Sequence, residues 1–168
     1  MAQYNIIAEN ENYTIVSDYE AVYRTSEKYQ TEAQLEQELI KNLTEQGYEY
    51  LAIHTEKDLV DNLRVQLQRL NDYTFTDSEW KRFFNDVIAN QNEGIEAKTT
   101  KIQEDHIQVL KRDTGETKNI YLIDKRNIHN NYLQVINQYE EEQGNHDARY
   151  DVSILVNGLP LVHIELKR

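Results

Sequence analysis

The run Tyr150-Asp-Val-Ser-Ile-Leu-Val-Asn-Gly-Leu-Pro-Leu-Val-His-Ile-Glu-Leu-Lys167 decides how this chain is read. Asn157-Gly158 separates two apolar stretches, and Asn-Gly between such stretches is the strongest short hairpin signal. The near-continuous apolar character predicts strands covered on both faces. Charge gathers at the open end: Asp151 opens the first strand, and Glu165 and Lys167 close the second. Strand alternation puts Glu165 and Lys167 on one face. Charge in a sheet is costly unless it is paired or metal-bound. Neighbouring carboxylates supply hard oxygen ligands for Mg²⁺, which keeps several waters and bridges to phosphate. A lysine beside them can orient or help deprotonate a metal-bound water, or neutralise phosphate charge. Taken alone, the same pattern also fits solvated strand ends.

Register tests the idea. A plain two-residue turn at Asn157-Gly158 pairs Asp151 with Ile164 and points its side chain away from that of Glu165. Bringing the two carboxylates together requires an odd loop or a bulge. A three-residue loop pairs Asp151 with His163 or Glu165, and Gly158 suits the left-handed position of such a loop. The expectation is that the simple two-residue turn does not form.

Working outward, residues 4–7 and 12–16 read as short strands. A helix is predicted from Thr31 to Gln46, with Thr31 as N-cap, Gln34 as its capping-box partner and Gly47 at the C-terminal cap. Leu35, Leu39, Ile40 and Leu43 form its apolar stripe, and Glu32 and Glu36 share another face. Further helices are predicted over 57–70, with Leu59, Leu63, Leu67 and Leu70 inward, and over 77–90, with Trp80, Phe83, Phe84, Val87 and Ile88. Strands at 104–111 and 118–124 flank Asp113-Thr114-Gly115. Residues 131–140 are ambiguous, with strand preferred.

The text of the hairpin carries a resemblance. Asp151, thirteen residues, then Glu165-x-Lys167 across an apolar hairpin is similar to the PD-(D/E)xK nuclease motif. Residues 155–167 resemble the nuclease domain at the N-terminus of the R subunit of type I restriction–modification enzymes. The helix text from Thr31 to Ile40, the Asn62-Leu-Arg-x-Gln-Leu segment and the Asp77-Ser-Glu-Trp-Lys-Arg-Phe segment extend the likeness over nearly the whole chain. The resemblance implies an α/β (α+β) fold, a restriction-endonuclease-like mixed central sheet flanked by helices. It implies Mg²⁺-dependent cleavage of phosphodiester bonds in double-stranded DNA. Asp151 and Glu165 are then metal ligands and Lys167 the catalytic lysine, with Glu36 as the helix acid of the metal site and Glu32 its competitor. Implied partners are the modification (M) and specificity (S) subunits, and ATP-driven motor domains of the same chain.

Composition agrees with part of a larger assembly. The chain has 168 residues with a net charge of −12, so a free-standing DNA binder, which needs clustered Lys and Arg, is not expected. There are no cysteines, which excludes disulfides, Cys-type zinc sites and thiol nucleophiles. With one Pro and five Gly, nothing reads as a linker, and residues 1–168 read as a single nuclease-like domain. No stretch reaches the roughly 18 apolar residues of a membrane helix, and the start lacks signal-peptide regions. A cytoplasmic location without membrane attachment follows as the expectation. No G-x-x-x-x-G-K-[ST] run occurs, so ATP would enter only through motor domains beyond this chain. The family's Gln-x-x-x-Tyr helix after the lysine is also absent. The chain therefore reads as a C-terminally truncated fragment, inactive alone. The alternative is a non-catalytic nuclease-like module that docks the motor or other subunits. The scattered histidines (His54, His106, His129, His146 and His163) lack metal-type spacing. After residue 100, Lys111-Arg112, Lys125-Arg126 and Lys167-Arg168 are the basic doublets available for phosphate, though solvated loop charge explains them as well.

Overall fold

A computed structural model of the chain describes residues 5–9, 14–17, 31–141 and 148–167. Residues 1–30 form one compact unit and residues 31–168 another. In the first unit, β1 (Asn5–Glu9) and β2 (Thr14–Ser17) pair antiparallel, with an irregularity between Ile6 and Ala8.

The second unit begins with α1 (Glu32–Glu45), whose limits are set by local chemistry. The Thr31 hydroxyl accepts from Gln34 N–H at 3.2 Å, and the Gln34 side chain accepts from Thr31 N–H at 2.9 Å. Gly47, at φ 95°, ends the helix. There Tyr48 N–H reaches Leu43 C=O and Gly47 N–H reaches Thr44 C=O, the paired bonds of a Schellman motif. α2 (Glu56–Asn71) is capped by Thr55 and stops at Asp72 in the left-handed conformation. α3 (Asp77–Phe83) carries a second capping box, Thr76 with Glu79.

The central sheet has the order β3-β6-β7-β8, from β3 (Glu49–Tyr50), β6 (Leu133–Glu141), β7 (Ala148–Val156) and β8 (Leu159–Ile164). β3 runs parallel to β6, and the other pairs are antiparallel. Val135, Val152, Ile154 and Ile164 pack with Leu39, Ile40 and Leu43 of α1. Ile136, Tyr139 and Leu155 pack with Ile53 and with Leu59 of α2. Helices therefore flank a mixed sheet. A separate hairpin, β4 (Ile107–Lys111) and β5 (Thr117–Tyr121), closes a third apolar cluster. Leu110, Ile120 and Leu122 meet Leu63, Leu67, Phe75, Trp80 and Phe83 there. Phe75 sits between Trp80 and Phe83 with ring centroids 5.4 and 5.7 Å away.

Several elements depart from the sequence reading. The third helix does not run on uniformly to residue 90. It widens into a π-helical turn at Phe84–Ile88, with Ala89 N–H bonding Phe84 C=O, and so keeps Val87 and Ile88 against the third cluster. α4 (Ile95–Gln103) has no counterpart in the sequence reading. Ile95 is exposed and Ile102 is its partly buried contact with the core, so it lacks an apolar stripe. β7 is covered as expected, with Val152, Ser153 and Leu155 buried. β8 is not. Among the described residues it stands at the edge of this sheet, with Leu161 and Val162 exposed, a position that tolerates Pro160.

Candidate nuclease site

The β7–β8 turn is the anchor from which the site is built. Asn157 (φ 52°) and Gly158 (φ 81°) both adopt positive φ, the requirement of a two-residue type I′ turn. Val156 pairs with Leu159 across it. The expectation of a longer loop is therefore corrected: the simple turn forms. Its neighbours select it. Asn157 is fully buried; its side chain donates to Leu122 C=O and to Asn131 Oδ1, and accepts from Tyr132 N–H. A Cβ at Gly158 would stand 2.6 Å from Leu63 Cα, so the turn lies directly on the α2 backbone.

The register shift comes two rungs later. Leu155 pairs with Pro160, but Ile154 pairs with Val162, leaving Leu161 as the extra residue of a bulge. Ser153 then pairs with His163 and Val152 with Ile164. On that register the next rung sets Asp151 opposite Glu165. The bulge thus does what the sequence reading asked of an irregular hairpin. Asp151 is half-buried, and its Oδ2 accepts from Leu166 N–H at 2.7 Å, which ties it to the strand carrying Glu165 and Lys167. Lys167 Nζ stands 3.2 Å from Glu165 Oε2, both side chains largely exposed. Next to this group, Ser153 Oγ and His163 Nδ1 lie 2.8 Å apart, and Tyr150 stacks on the His163 ring at 4.1 Å.

Glu36 is placed differently. Its carboxylate accepts from the side-chain amides of Asn137, at 2.6 Å, and Gln138. The Tyr50 hydroxyl in turn donates to Asn137 Oδ1 at 2.8 Å. Glu32 is exposed in the first turn of α1. Among the described residues, no three His, Cys, Asp or Glu side chains converge as a metal-holding group. Asp151, Glu165 and Lys167 are brought together at one hairpin end, whereas Glu36 is engaged with β6. Asn137 and Gln138 were missed in the sequence, where the ambiguous 131–140 segment offers no motif to mark them, and so was Tyr50, in the two-residue strand β3.

The donor set suits Mg²⁺, since that ion takes one or two protein carboxylates and keeps waters for the rest of its shell. The basic doublets are less available. Arg112 pairs with Glu116 at 2.7 Å, and Lys125 donates to Gln103 C=O. His146 and Arg168 lie outside the described residues. Among those described, no helix is long and apolar enough to cross a membrane.

Residues 29–168 match the family described as Type I restriction enzyme R protein N terminus. The chain is 45% identical over 163 residues to the type I restriction enzyme EcoprrI endonuclease subunit of Escherichia coli, covering 96% of this chain and 52% of that one. It is 38% identical over 145 residues to the SsaAORF53P endonuclease subunit of Staphylococcus saprophyticus, and 37% over 147 residues to the SauCOLORF180P endonuclease subunit of Staphylococcus aureus. The chain spans about half the length of the first relative and 15% of each staphylococcal one. With its nuclease-like mixed sheet and a family match over residues 29–168, the chain belongs to the type I restriction enzyme R protein N-terminal family.

Proposed function

We propose that this chain is the nuclease portion of a type I restriction R subunit and hydrolyses phosphodiester bonds in double-stranded DNA with Mg²⁺. The observation that carries the reading is the Leu161 bulge, which continues the register to a rung with Asp151 opposite Glu165, itself paired with Lys167. In this reading Asp151 and Glu165 hold the metal. When bound, Mg²⁺ lowers the pKa of its water and stabilises negative charge building on phosphorus. The Leu166 N–H fixes the orientation of Asp151. Glu165 keeps the Lys167 ammonium within 3.2 Å, where it can meet a phosphate oxygen or orient the attacking water.

The DNA, the M and S subunits and the ATP-driven motor belong to the proposed larger assembly. The net charge of −12 assigns most phosphate contacts to that assembly rather than to this chain. The 168-residue chain alone is expected to be inactive on DNA. The rival reading is a docking module without catalysis. It draws on the mutual pairing of exposed Glu165 and Lys167, which is also how a solvated strand end behaves.

Mn²⁺ binding separates the readings. The chain is expected to bind Mn²⁺ weakly, seen as enhanced water-proton relaxation, and Glu165→Ala is expected to abolish it. Binding that persists in Glu165→Ala favours the docking module. In a full-length R subunit assembled with its partners, Lys167→Ala should leave DNA association intact and eliminate cleavage.

A further inference from the structure

Three described non-glycine residues have positive φ. Asp72 caps a helix and Asn157 sits in a turn, and Asp and Asn are the residue types that tolerate this conformation. Gln138, at φ 53°, is neither; it stands inside β6. A residue held there persists only where its surroundings over-determine it. The surroundings here include the carboxylate of Glu36, which accepts from the Gln138 side chain. Consecutive strand residues send their side chains to opposite faces. Yet the amides of Asn137 and Gln138 both reach this one carboxylate, across about a hundred residues of chain. The left-handed backbone at Gln138 is what allows both to do so. It also changes the phase of the strand: Tyr139 packs with Ile136, three residues away, in the same apolar cluster.

The ladder locates the consequence. Asn137 pairs with Val152 and Tyr139 with Tyr150, so Gln138 stands on the rung of Asp151. The alternation of β6 therefore switches at the rung that carries the candidate metal ligand. We propose that Glu36 is a positioning residue. By gripping the side-chain amides of Asn137 and Gln138 it holds Gln138 in the left-handed conformation, and through that rung it sets the orientation of Asp151. The functional half of this rests on Asp151 and Glu165 being metal ligands. The alternative is that Glu36 is itself a ligand, as the family resemblance implies.

The test uses the 168-residue chain with two readouts: the ¹³Cα and ¹³Cβ shifts of Gln138 and Asp151, and Mn²⁺ affinity from water-proton relaxation. Glu36→Ala keeps a good helix former in α1. It should move the Gln138 shifts from left-handed to extended values, perturb Asp151 and weaken Mn²⁺ binding about tenfold, as loss of a residue supporting a metal ligand commonly does. Adding Gln138→Gly should restore the Asp151 shifts and most of the affinity, because glycine takes positive φ unaided. Glu36→Gln, which offers one acceptor oxygen for two amides, should fall between and covers a failure of the alanine variant to fold. Unchanged Gln138 shifts in Glu36→Ala would overturn the proposal. So would a double variant that binds as weakly as Glu36→Ala, which would make Glu36 a ligand. If the unaltered chain binds no Mn²⁺, the metal reading fails by itself, and the shifts of Gln138 and Asp151 alone decide the positioning role.

Discussion

Asp113 collects donors from α3. The Ser78 hydroxyl, then the Thr76 hydroxyl and Arg82, hold its carboxyl down to about 2. Its own N–H is accepted by the buried carboxylate of Glu79 at 3.0 Å. Burial pushes Glu79 up, but the N–H groups of Asp113 and Thr76 and the Tyr73 hydroxyl outweigh it, and its pKa falls below the ordinary range. Both groups are depressed in the folded state. Their stabilisation is thus fully present above the unfolded carboxylate value near pH 4, and is lost as pH falls through the lower folded values. Urea unfolding between about pH 5 and pH 2 should show a steep acid limb that Asp113→Asn flattens; parallel limbs would count against it. Gly158 makes a different demand. At φ 81° and 2.6 Å from Leu63 Cα, a methyl group there meets both backbone strain and backbone atoms that cannot yield cheaply. Gly158→Ala should cost roughly 2–4 kcal/mol, read as a lower urea midpoint at unchanged slope.

Elements were legible where their ends carry chemistry. Thr31, Gln34 and Gly47 mark α1 within a residue, because a capping box and a Schellman motif are written in side chains. β7 and β8 were legible from Asn157-Gly158 and the flanking apolar runs. β3 was not, since two residues pairing parallel to a distant strand leave no periodicity. Nor was α4, whose polar face continues nearly all the way round. The Leu161 bulge was legible only as a need. The sequence shows that Asp151 and Glu165 require an irregularity, but not whether turn or strand absorbs it. Burial of Asn157 and contact of Gly158 with α2 pin the turn, so the strand yields. Deleting Leu161 should therefore straighten β8 and keep the Ser153–His163 rung, because Ile154 already pairs with Val162. Cross-strand proton contacts between Ser153 and His163 check this; their replacement by Ser153–Val162 contacts would show the reverse.

At the scale of the whole molecule, the family match begins at residue 29, two residues before the second compact unit starts at Thr31. That unit distributes its core over three apolar clusters rather than one. Two of them grip the sheet from opposite faces, and the largest holds the Leu159 end of the β7–β8 hairpin. The candidate residues sit at the other end, where Glu165 and Lys167 are exposed. The hairpin is thus a cantilever, clamped at Asn157-Gly158 and carrying its load of charge at the tip. β7 stays laced to β6 as far as Ala148, so it is the β8 arm past Ile164 that leaves the ladder and carries Glu165 and Lys167. On the proposed reading the charged tip meets a curved polyanion while the seated turn keeps the register, so recognition and fold stability fall to opposite ends of the same two strands.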